Sequence, residues 1–176
     1  MKRASMIAGS VFAVLGSLAL PAQSTSNYYG YGAAAARLLA AHNRERARVG
    51  VTPLRWDPQL AASAASYGPT LVRIGTLRHS PRVDRQGQRE NLWMGTRGAY
   101  APEQMVGYWI AEKAFYSHSP FPHVSRTGNW ADVAHYTQVV WRGTTHVGCA
   151  IYPSAKWDYL ICRYSPPGNI EGRTAI

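Results

Sequence analysis

The sequence contains only two cysteines among its 176 residues. A dense disulfide framework is therefore excluded, and the two cysteines are too far apart for a CxxC metal or redox motif. Acidic residues are also scarce, with 9 Asp and Glu against 19 Lys and Arg. Beyond the N-terminus no apolar run reaches the length of a membrane span, and there is no internal repeat. These features predict one globular domain.

The N-terminus is typical of a secretory signal peptide. Lys2 and Arg3 precede the apolar run MIAGSVFAVLGSLAL, and the small-residue site PAQS follows. We predict a signal peptide over residues 1–22 and a polar, flexible leader over residues 23–34. The protein should then be exported to a periplasm or to the medium, where oxidising conditions favour a disulfide between the two cysteines.

The exported chain is strongly basic. With Lys2 and Arg3 removed from the 19 basic residues, 17 remain against 9 acidic ones, a formal charge of +8. Such a surface attracts anionic partners, so peripheral contact with an anionic envelope is one expectation, and an ordinary solvated surface is the simpler one. Because no nucleic-acid motif is present, we expect no specific nucleic-acid binding. We also expect the protein to be a monomer. The arginines considered for anion binding are Arg44, Arg48, Arg73, Arg82 and Arg85.

Three segments have the composition of helices. Residues 33–49 consist of strong helix formers. A second helix should begin at Pro58 and stop at the Gly68–Pro69 pair, and it could resume over residues 71–74. A third helix is predicted over residues 101–117.

The last third of the chain is predicted to form a hairpin. HVGCAIY and DYLICRY alternate in polarity and flank the turn-forming segment PSAKW. If the turn is centred between Ala155 and Lys156, the two cysteines lie opposite each other. A non-hydrogen-bonded antiparallel pair brings Cα atoms to about 4.5 Å, so Cys149 and Cys162 could form a disulfide. Residues 171–176 should leave the sheet as a surface tail.

Five polar side chains stand in unusual positions. On the third helix Met105, Trp109 and Glu112 share one stripe, so the Glu112 carboxylate must meet a partner. The other four stand beside apolar or loop segments. Two neutral imidazoles and two carboxylates suit zinc or a similar divalent ion, and they equally suit a closed hydrogen-bond network without metal. Residue types and spacing do not choose between these alternatives. The four others are His42, His79, Glu90 and His135.

Several motifs resemble those of the CAP superfamily of secreted proteins, also called SCP or pathogenesis-related-1-like. AHYTQVVWRGT is similar to GHYTQVVWxxT, and CRYSPPGNI is similar to CNYxPxGN. HNRER, QRENLW and WIAEKAFY correspond to HNxxR, GENLW-like and WxxExxxY motifs. The resemblance covers residues 35–170, which we assign as the CAP domain, and a single disulfide is typical of a bacterial member. The chain departs from the motifs at three positions, where Arg89 and Ala134 replace Gly and Arg163 replaces Asn.

The resemblance implies an α/β fold, a three-layer αβα sandwich with a central antiparallel sheet and a large cleft. In that cleft the family places two histidines and two glutamates, which correspond to His79, His135, Glu90 and Glu112. Family members can bind zinc through the histidines, so zinc is the expected metal. His42 is not part of this set.

Two local structures also follow from the resemblance. The HNRER turn should be structural, with Asn43 and Arg46 connecting the first helix to neighbouring loops. Propensity alone would make YTQVVW a strand, whereas the family tends to form a short helix there, which we adopt.

A non-enzymatic binding module is the function that the resemblance favours, with a lipid, an envelope component or a protein as ligand. A metal-dependent hydrolase or protease using the same cleft is the alternative, because zinc beside a glutamate can activate water. A Ser80/His/Glu arrangement is a further catalytic possibility. The chain has neither an HExxH nor a GxSxG motif, and the adjacent His79 and Ser80 cannot easily face each other. We therefore predict binding rather than catalysis.

Overall fold

The computed structural model describes residues 31–176. The predicted signal peptide lies outside the described residues, as does most of the predicted leader. Within them no helix is long and apolar enough to cross a membrane. The helices and strands are α1 (Tyr31–Arg48), β1 (Arg55–Trp56), α2 (Pro58–Ile74), β2 (Arg89–Thr96), α3 (Pro102–Ala111), α4 (Ala134–Val139), β3 (His146–Pro153) and β4 (Trp157–Ser165).

The four strands form one sheet in the order β1-β3-β4-β2. The three longer strands are antiparallel, as predicted, and the two-residue β1 runs parallel to β3. In the β3–β4 hairpin Cys149 lies opposite Cys162, and the two form a disulfide with a Cα–Cα distance of 4.1 Å. The predicted register and disulfide are both confirmed.

Helices cover both faces of the sheet, which confirms the three-layer αβα sandwich. Successive side chains of a strand point to opposite faces of the sheet, so β4 contributes to a core on each side. Leu160 and Tyr164 join a core with α1, α3 and α4, whereas Tyr159 and Ile161 join a second core under α2. Strand β2 is one edge of this sheet, and it carries Glu90.

Helix α2 corrects one prediction. It continues through Gly68 and Pro69 to Ile74 and ends at Gly75, which has a φ of 69°. Gly68 is buried directly against the Tyr152 ring of β3, where any larger side chain would overlap the ring. This close packing on the sheet outweighs the local tendency of a Gly-Pro pair to end a helix.

The third helix is shorter than predicted. Helix α3 ends at Ala111, and residues 112–115 continue as a tighter 3-10 turn. The segment YTQVVW begins within helix α4, so the family-based expectation is correct and the strand propensity is overridden. A second 3-10 turn over Trp130–Val133 leads into α4.

Residues 171–174 are exposed outside the sheet, whereas the last two residues of the predicted tail are anchored to the domain. Ala175 is fully buried in the larger core, and its carbonyl accepts a hydrogen bond from the Arg142 backbone N–H at 2.7 Å. The carbonyl of Arg173 likewise accepts from the Phe121 N–H at 2.9 Å. This anchoring was not predictable from local pattern, because a single alanine makes the buried contact.

The HNRER segment lies within α1 and has a structural role, as expected. His42 is fully buried, and burial lowers its pKa to about 4, so it is neutral at physiological pH. The Asn43 side chain makes two hydrogen bonds to the backbone of Leu54, at 2.8 and 3.0 Å. Arg46 is also fully buried and binds backbone carbonyls of two separate segments.

Candidate functional site

The first His–Glu pair joins the segment after α2 to the edge strand. The Nδ1 atom of His79 lies 2.7 Å from Oε1 of Glu90. The backbone N–H of Ser80 donates to the same oxygen at 3.0 Å, and its hydroxyl donates to Oε2 at 3.2 Å. Arg163, the cross-strand neighbour of Glu90 on β4, completes the shell with Nη2 at 3.1 Å from Oε2. Glu90 therefore has four polar partners.

These partners keep Glu90 ionised although its side chain is buried. Burial alone would raise the pKa of this carboxyl, but the His79 hydrogen bond, the Arg163 charge and the Ser80 amide outweigh it, so the pKa lies below its usual range. An ionised carboxylate only accepts hydrogen bonds. In the neutral imidazole Nδ1 of His79 must therefore carry the proton, and Nε2 has the free lone pair.

The second pair joins the end of α3 to the start of α4. The Nδ1 atom of His135 lies 2.6 Å from Oε1 of Glu112, and the backbone N–H groups of His135 and Tyr136 donate to Oε2, both at 3.0 Å. Glu112 thus meets the partner that its place on the helical stripe required. The Trp109 ring stacks on the imidazole, with centroids 6.0 Å apart and planes 14° from parallel. The ring orientation of His135 is therefore fixed on two sides.

A chain of hydrogen bonds ties His135 to the core. Asn91 Nδ2 donates to the His135 carbonyl at 3.1 Å and to the Tyr164 hydroxyl at 3.3 Å. Nδ1 of His42 must donate to the Leu38 carbonyl, since a carbonyl only accepts, so Nε2 of His42 accepts from the Tyr164 hydroxyl at 2.8 Å. His42 is thus a support for the candidate site and not a member of it.

The two pairs are attached to neighbouring residues of one strand. Glu90 and Asn91 are consecutive in β2, with Cα atoms about 3.8 Å apart, and their side chains point to opposite faces of the sheet. Glu90 holds His79, and Asn91 holds the His135 backbone. Across residues 31–176 no group of three or more His, Cys, Asp or Glu side chains is arranged to hold a metal ion. The four predicted residues are therefore brought together as two pairs.

Ser80 does not form a catalytic triad with its neighbours. Its hydroxyl donates to Glu90, the same carboxylate that binds His79, and the residue is only 3% exposed. A nucleophilic serine needs a hydrogen bond to the imidazole that takes its proton. In the described part of the chain the Ser80 hydroxyl makes no such bond to His79.

A separate apolar pocket of about 230 Å³ lies between α1, α3 and the β3–β4 hairpin. Its lining includes Leu38, Met105 and Ile151, with Arg97 and Asp158 among its polar members. The pocket was not predictable from the sequence, because its helical wall is built partly from alanines, which indicate a helix but no binding site.

Residues 39–164 match the profile of the CAP family, described as the cysteine-rich secretory protein family. The chain belongs to the CAP family. Pathogenesis-related protein 1C of Nicotiana tabacum is 41% identical over 139 residues, which are 77% of each chain. Pathogenesis-related protein 1 of Arabidopsis thaliana is 35% identical over 158 residues, 89% of this chain and 87% of the relative.

Solved structures agree with this family assignment at the level of the fold. The crystal structure of NaASP2 with Zn²⁺ superposes with a TM-score of 0.68 at 23% identity, covering 80% of this chain and 83% of that chain. BmVAL-1 superposes equally well, with a TM-score of 0.68 and 81% of each chain covered. These superpositions show that this CAP domain shares its fold with both solved structures.

Proposed function

We propose that this CAP domain is an exported binding module that holds a divalent metal ion, zinc in the first instance, through His79 and His135. One observation carries the proposal: each histidine donates its Nδ1 proton to a glutamate. Metal-binding histidines commonly have this carboxylate partner, which fixes the tautomer and leaves Nε2 free for the metal. Within residues 31–176 neither Nε2 atom makes a hydrogen bond. The disulfide supports an oxidising, exported location.

The residue types fit zinc, which binds neutral imidazoles and accepts carboxylate, water or ligand atoms at its remaining positions. In this proposal the glutamates orient the histidines and do not fill the metal shell themselves. Bound zinc would offer an open coordination position to a polar atom of a ligand. The protein's own residues orient the two imidazoles and, through Trp109, shield one face of His135.

Zinc should raise the melting temperature of the protein at pH 7. At a zinc concentration about 100 times the Kd, binding stabilises the folded state by about 2.7 kcal/mol, a shift of roughly 5–10 °C for a domain of this size. The shift should vanish near pH 5, because protonated imidazole is not a ligand. Differential scanning calorimetry with and without zinc measures both effects.

A His79→Ala/His135→Ala variant should lose this shift. The matched control is His118→Ala/His123→Ala, which removes two exposed histidines outside the pairs. Equal shifts in the pair variant and the wild type would refute the metal site, as would loss of the shift in the control alone.

The apolar pocket supports a second candidate function, binding of an acyl chain. Ligand pockets are typically apolar with a few polar groups at defined places, and this pocket has that composition. Each buried methylene contributes about 0.8 kcal/mol, so a chain of several carbons would bind measurably. The pocket is built from α1, α3 and the hairpin, so this function does not depend on the His–Glu pairs.

Dodecanoate binding, measured by isothermal titration calorimetry, tests the pocket. Ala35 lines the pocket, so Ala35→Phe should fill it and weaken binding at least about tenfold, or 1.4 kcal/mol. Ala36 is exposed on the next position of α1, so Ala36→Phe is the matched control and should bind normally. Unchanged dodecanoate affinity in Ala35→Phe would exclude the pocket as the binding site.

A further inference from the structure

Four arginines lie in the segments that flank Glu90 or pair with it. Arg82 and Arg85 belong to the 3-10 turn Arg82–Arg85 between α2 and β2. Arg89 begins β2, and Arg163 lies opposite Glu90 on β4. A single short stretch of chain and one neighbouring strand thus place four cations at the end of the edge strand.

Two of these guanidinium groups are held by backbone carbonyls. Arg85 donates to the Ser80 carbonyl at 3.1 Å and to the Gln88 carbonyl at 3.4 Å. Arg89 donates to the carbonyls of Gly168 and Asn169, at 2.9 and 3.4 Å. Carbonyl anchors fix a guanidinium without neutralising it. Since each guanidinium has five N–H groups, both arginines retain free donors in a restrained position.

The positive charge of this cluster is only partly balanced by Asp84, which lies in the same 3-10 turn as Arg82 and Arg85. Among the described residues Arg82, Arg85 and Arg89 form no salt bridge, whereas Arg163 is paired with Glu90. Burial, followed by the charges of Arg82 and Arg85, lowers the pKa of Arg89, so these cations lie close enough to repel one another. An anion placed among them would relieve that repulsion.

Arg163 has donor atoms without a hydrogen-bond partner, although its guanidinium group lies over the Tyr67 ring at 5.9 Å from the centroid. Its side chain is 2% exposed, and its Nε and Nη1 atoms have no hydrogen-bond partner in the described structure. Buried donors without partners are costly, and in native proteins they commonly meet water or a ligand. Arg89 and Arg163 also replace the Gly and Asn of the CAP motifs, so the cluster is a feature of this chain and is not prescribed by those motifs.

We propose that Arg82, Arg85 and Arg89 form a binding site for a ligand that carries clustered phosphate or sulfate groups. The guanidinium groups of Arg85 and Arg89 are anchored to different segments, so two or more anionic groups match them better than one. Guanidinium groups bind such oxyanions through paired, charge-assisted hydrogen bonds. The site is separate from the metal proposal and needs no metal ion.

Titration with sodium tripolyphosphate in the presence of EDTA tests this site without metal. An Arg82→Gln/Arg85→Gln/Arg89→Gln variant should bind tripolyphosphate at least about tenfold more weakly, since several charge-assisted hydrogen bonds are lost. The matched control removes the same charge from Arg44, Arg55 and Arg142, which are exposed and make no side-chain hydrogen bond within residues 31–176. It should bind within about twofold of wild type, because distant exposed charges are screened.

A second arm uses vesicles of phosphatidylcholine with and without phosphatidic acid. Binding of both tripolyphosphate and phosphatidic acid vesicles, each lost in the cluster variant, would support the site and admit a lipid headgroup as its source. Binding of tripolyphosphate alone would support the site for free polyanions. Equal losses in the two triple variants, or no binding of either probe by wild type, would overturn the proposal.

The single Arg82→Gln variant tests the site in case the triple variant misfolds. Arg82 is exposed and its side chain makes no hydrogen bond in the described structure, so the melting temperature should not change. Its affinity for tripolyphosphate should nevertheless fall about threefold. Unchanged affinity in a normally folded Arg82→Gln protein would remove Arg82 from the site and contradict the proposal as stated. His79→Ala/His135→Ala should retain tripolyphosphate binding, which separates this test from the metal test.

Discussion

Replacement of Arg46 by alanine should lower the free energy of unfolding by about 3–5 kcal/mol and the melting temperature by about 10 °C. The side chain is fully buried in α1 and donates four hydrogen bonds to backbone carbonyls. In the variant these carbonyls would lose the guanidinium donors and a cavity would form, although the Trp141 carbonyl keeps a second donor, the Thr144 backbone N–H at 3.1 Å. The acceptors are Thr52 at 2.7 Å and Val139, Trp141 and Thr144, all at 3.0 Å.

The charge of Arg46 does not weaken this expectation. Burial lowers its pKa to about 10, which still leaves the guanidinium protonated at neutral pH. The carbonyl dipoles take the place of water around the cation. The loss in the free energy of unfolding therefore includes both the unsatisfied acceptors and the cavity that the side chain leaves.

Arg44→Ala is the matched control, because Arg44 is exposed on the same helix two residues earlier. Its effect should stay within about 0.5 kcal/mol. Guanidinium chloride denaturation followed by circular dichroism measures both variants. A loss below about 1 kcal/mol in Arg46→Ala would show that the carbonyls find other partners. That result would refute the structural role assigned to the HNRER segment of α1.

Arg46 also connects the fold to the candidate site. Three of its four acceptors are Val139, the last residue of α4, and Trp141 and Thr144 in the segment that follows α4. Helix α4 carries His135, whose carbonyl is held by Asn91 and whose imidazole is held by Glu112. Side chains from α1, from β2 and from the 3-10 turn after α3 thus fix one six-residue helix that would have little stability alone.

The parts of the fold that could be predicted are those set by local pattern. Alternating polarity and a turn-forming segment place Cys149 opposite Cys162, and the structure has that register. Helix α2 could not be bounded in this way, because its passage through Pro69 depends on contact with Tyr152 from a distant strand. The burial of Ala175 is likewise a tertiary effect that no local pattern reports.

The candidate site was predictable to a similar extent. The stripe on the third helix showed that Glu112 needs a partner, and residue positions also singled out His79, Glu90 and His135 together with His42. Only the family resemblance grouped the four cleft residues and excluded His42. The role of Arg163 was not foreseen, because its closeness to Glu90 depends on the pairing of β2 with β4. Strand pairing between distant segments is set by the whole sheet and not by either strand alone.

Gly148→Ala should be among the most damaging single-methyl substitutions in this chain, with a loss of at least about 3 kcal/mol. Gly148 lies in β3 under the first turn of α2, and a Cβ there would overlap backbone atoms of Asp57, Leu60 and Ala61. Backbone atoms cannot rotate away as a side chain can, so α2 would have to move off the sheet. Asp57 resists that movement, because its N–H donates to the Val147 carbonyl at 2.9 Å.

The matched control is Gly107→Ala, at a helical position of α3 where a Cβ meets no atom within 4 Å. Alanine should stabilise that helix by about 0.5–1 kcal/mol, so the same added methyl group should have opposite signs at the two positions. Thermal and chemical denaturation of both variants measure the difference. If Gly148→Ala were as stable as wild type, α2 would not rest on β3 as closely as described. The segment after α2, which places His79 beside Glu90, would then not be held firmly against the sheet. Gly148 is also the cross-strand neighbour of Arg163, which binds Glu90, so the same substitution would disturb the His79–Glu90 pair from the β4 side.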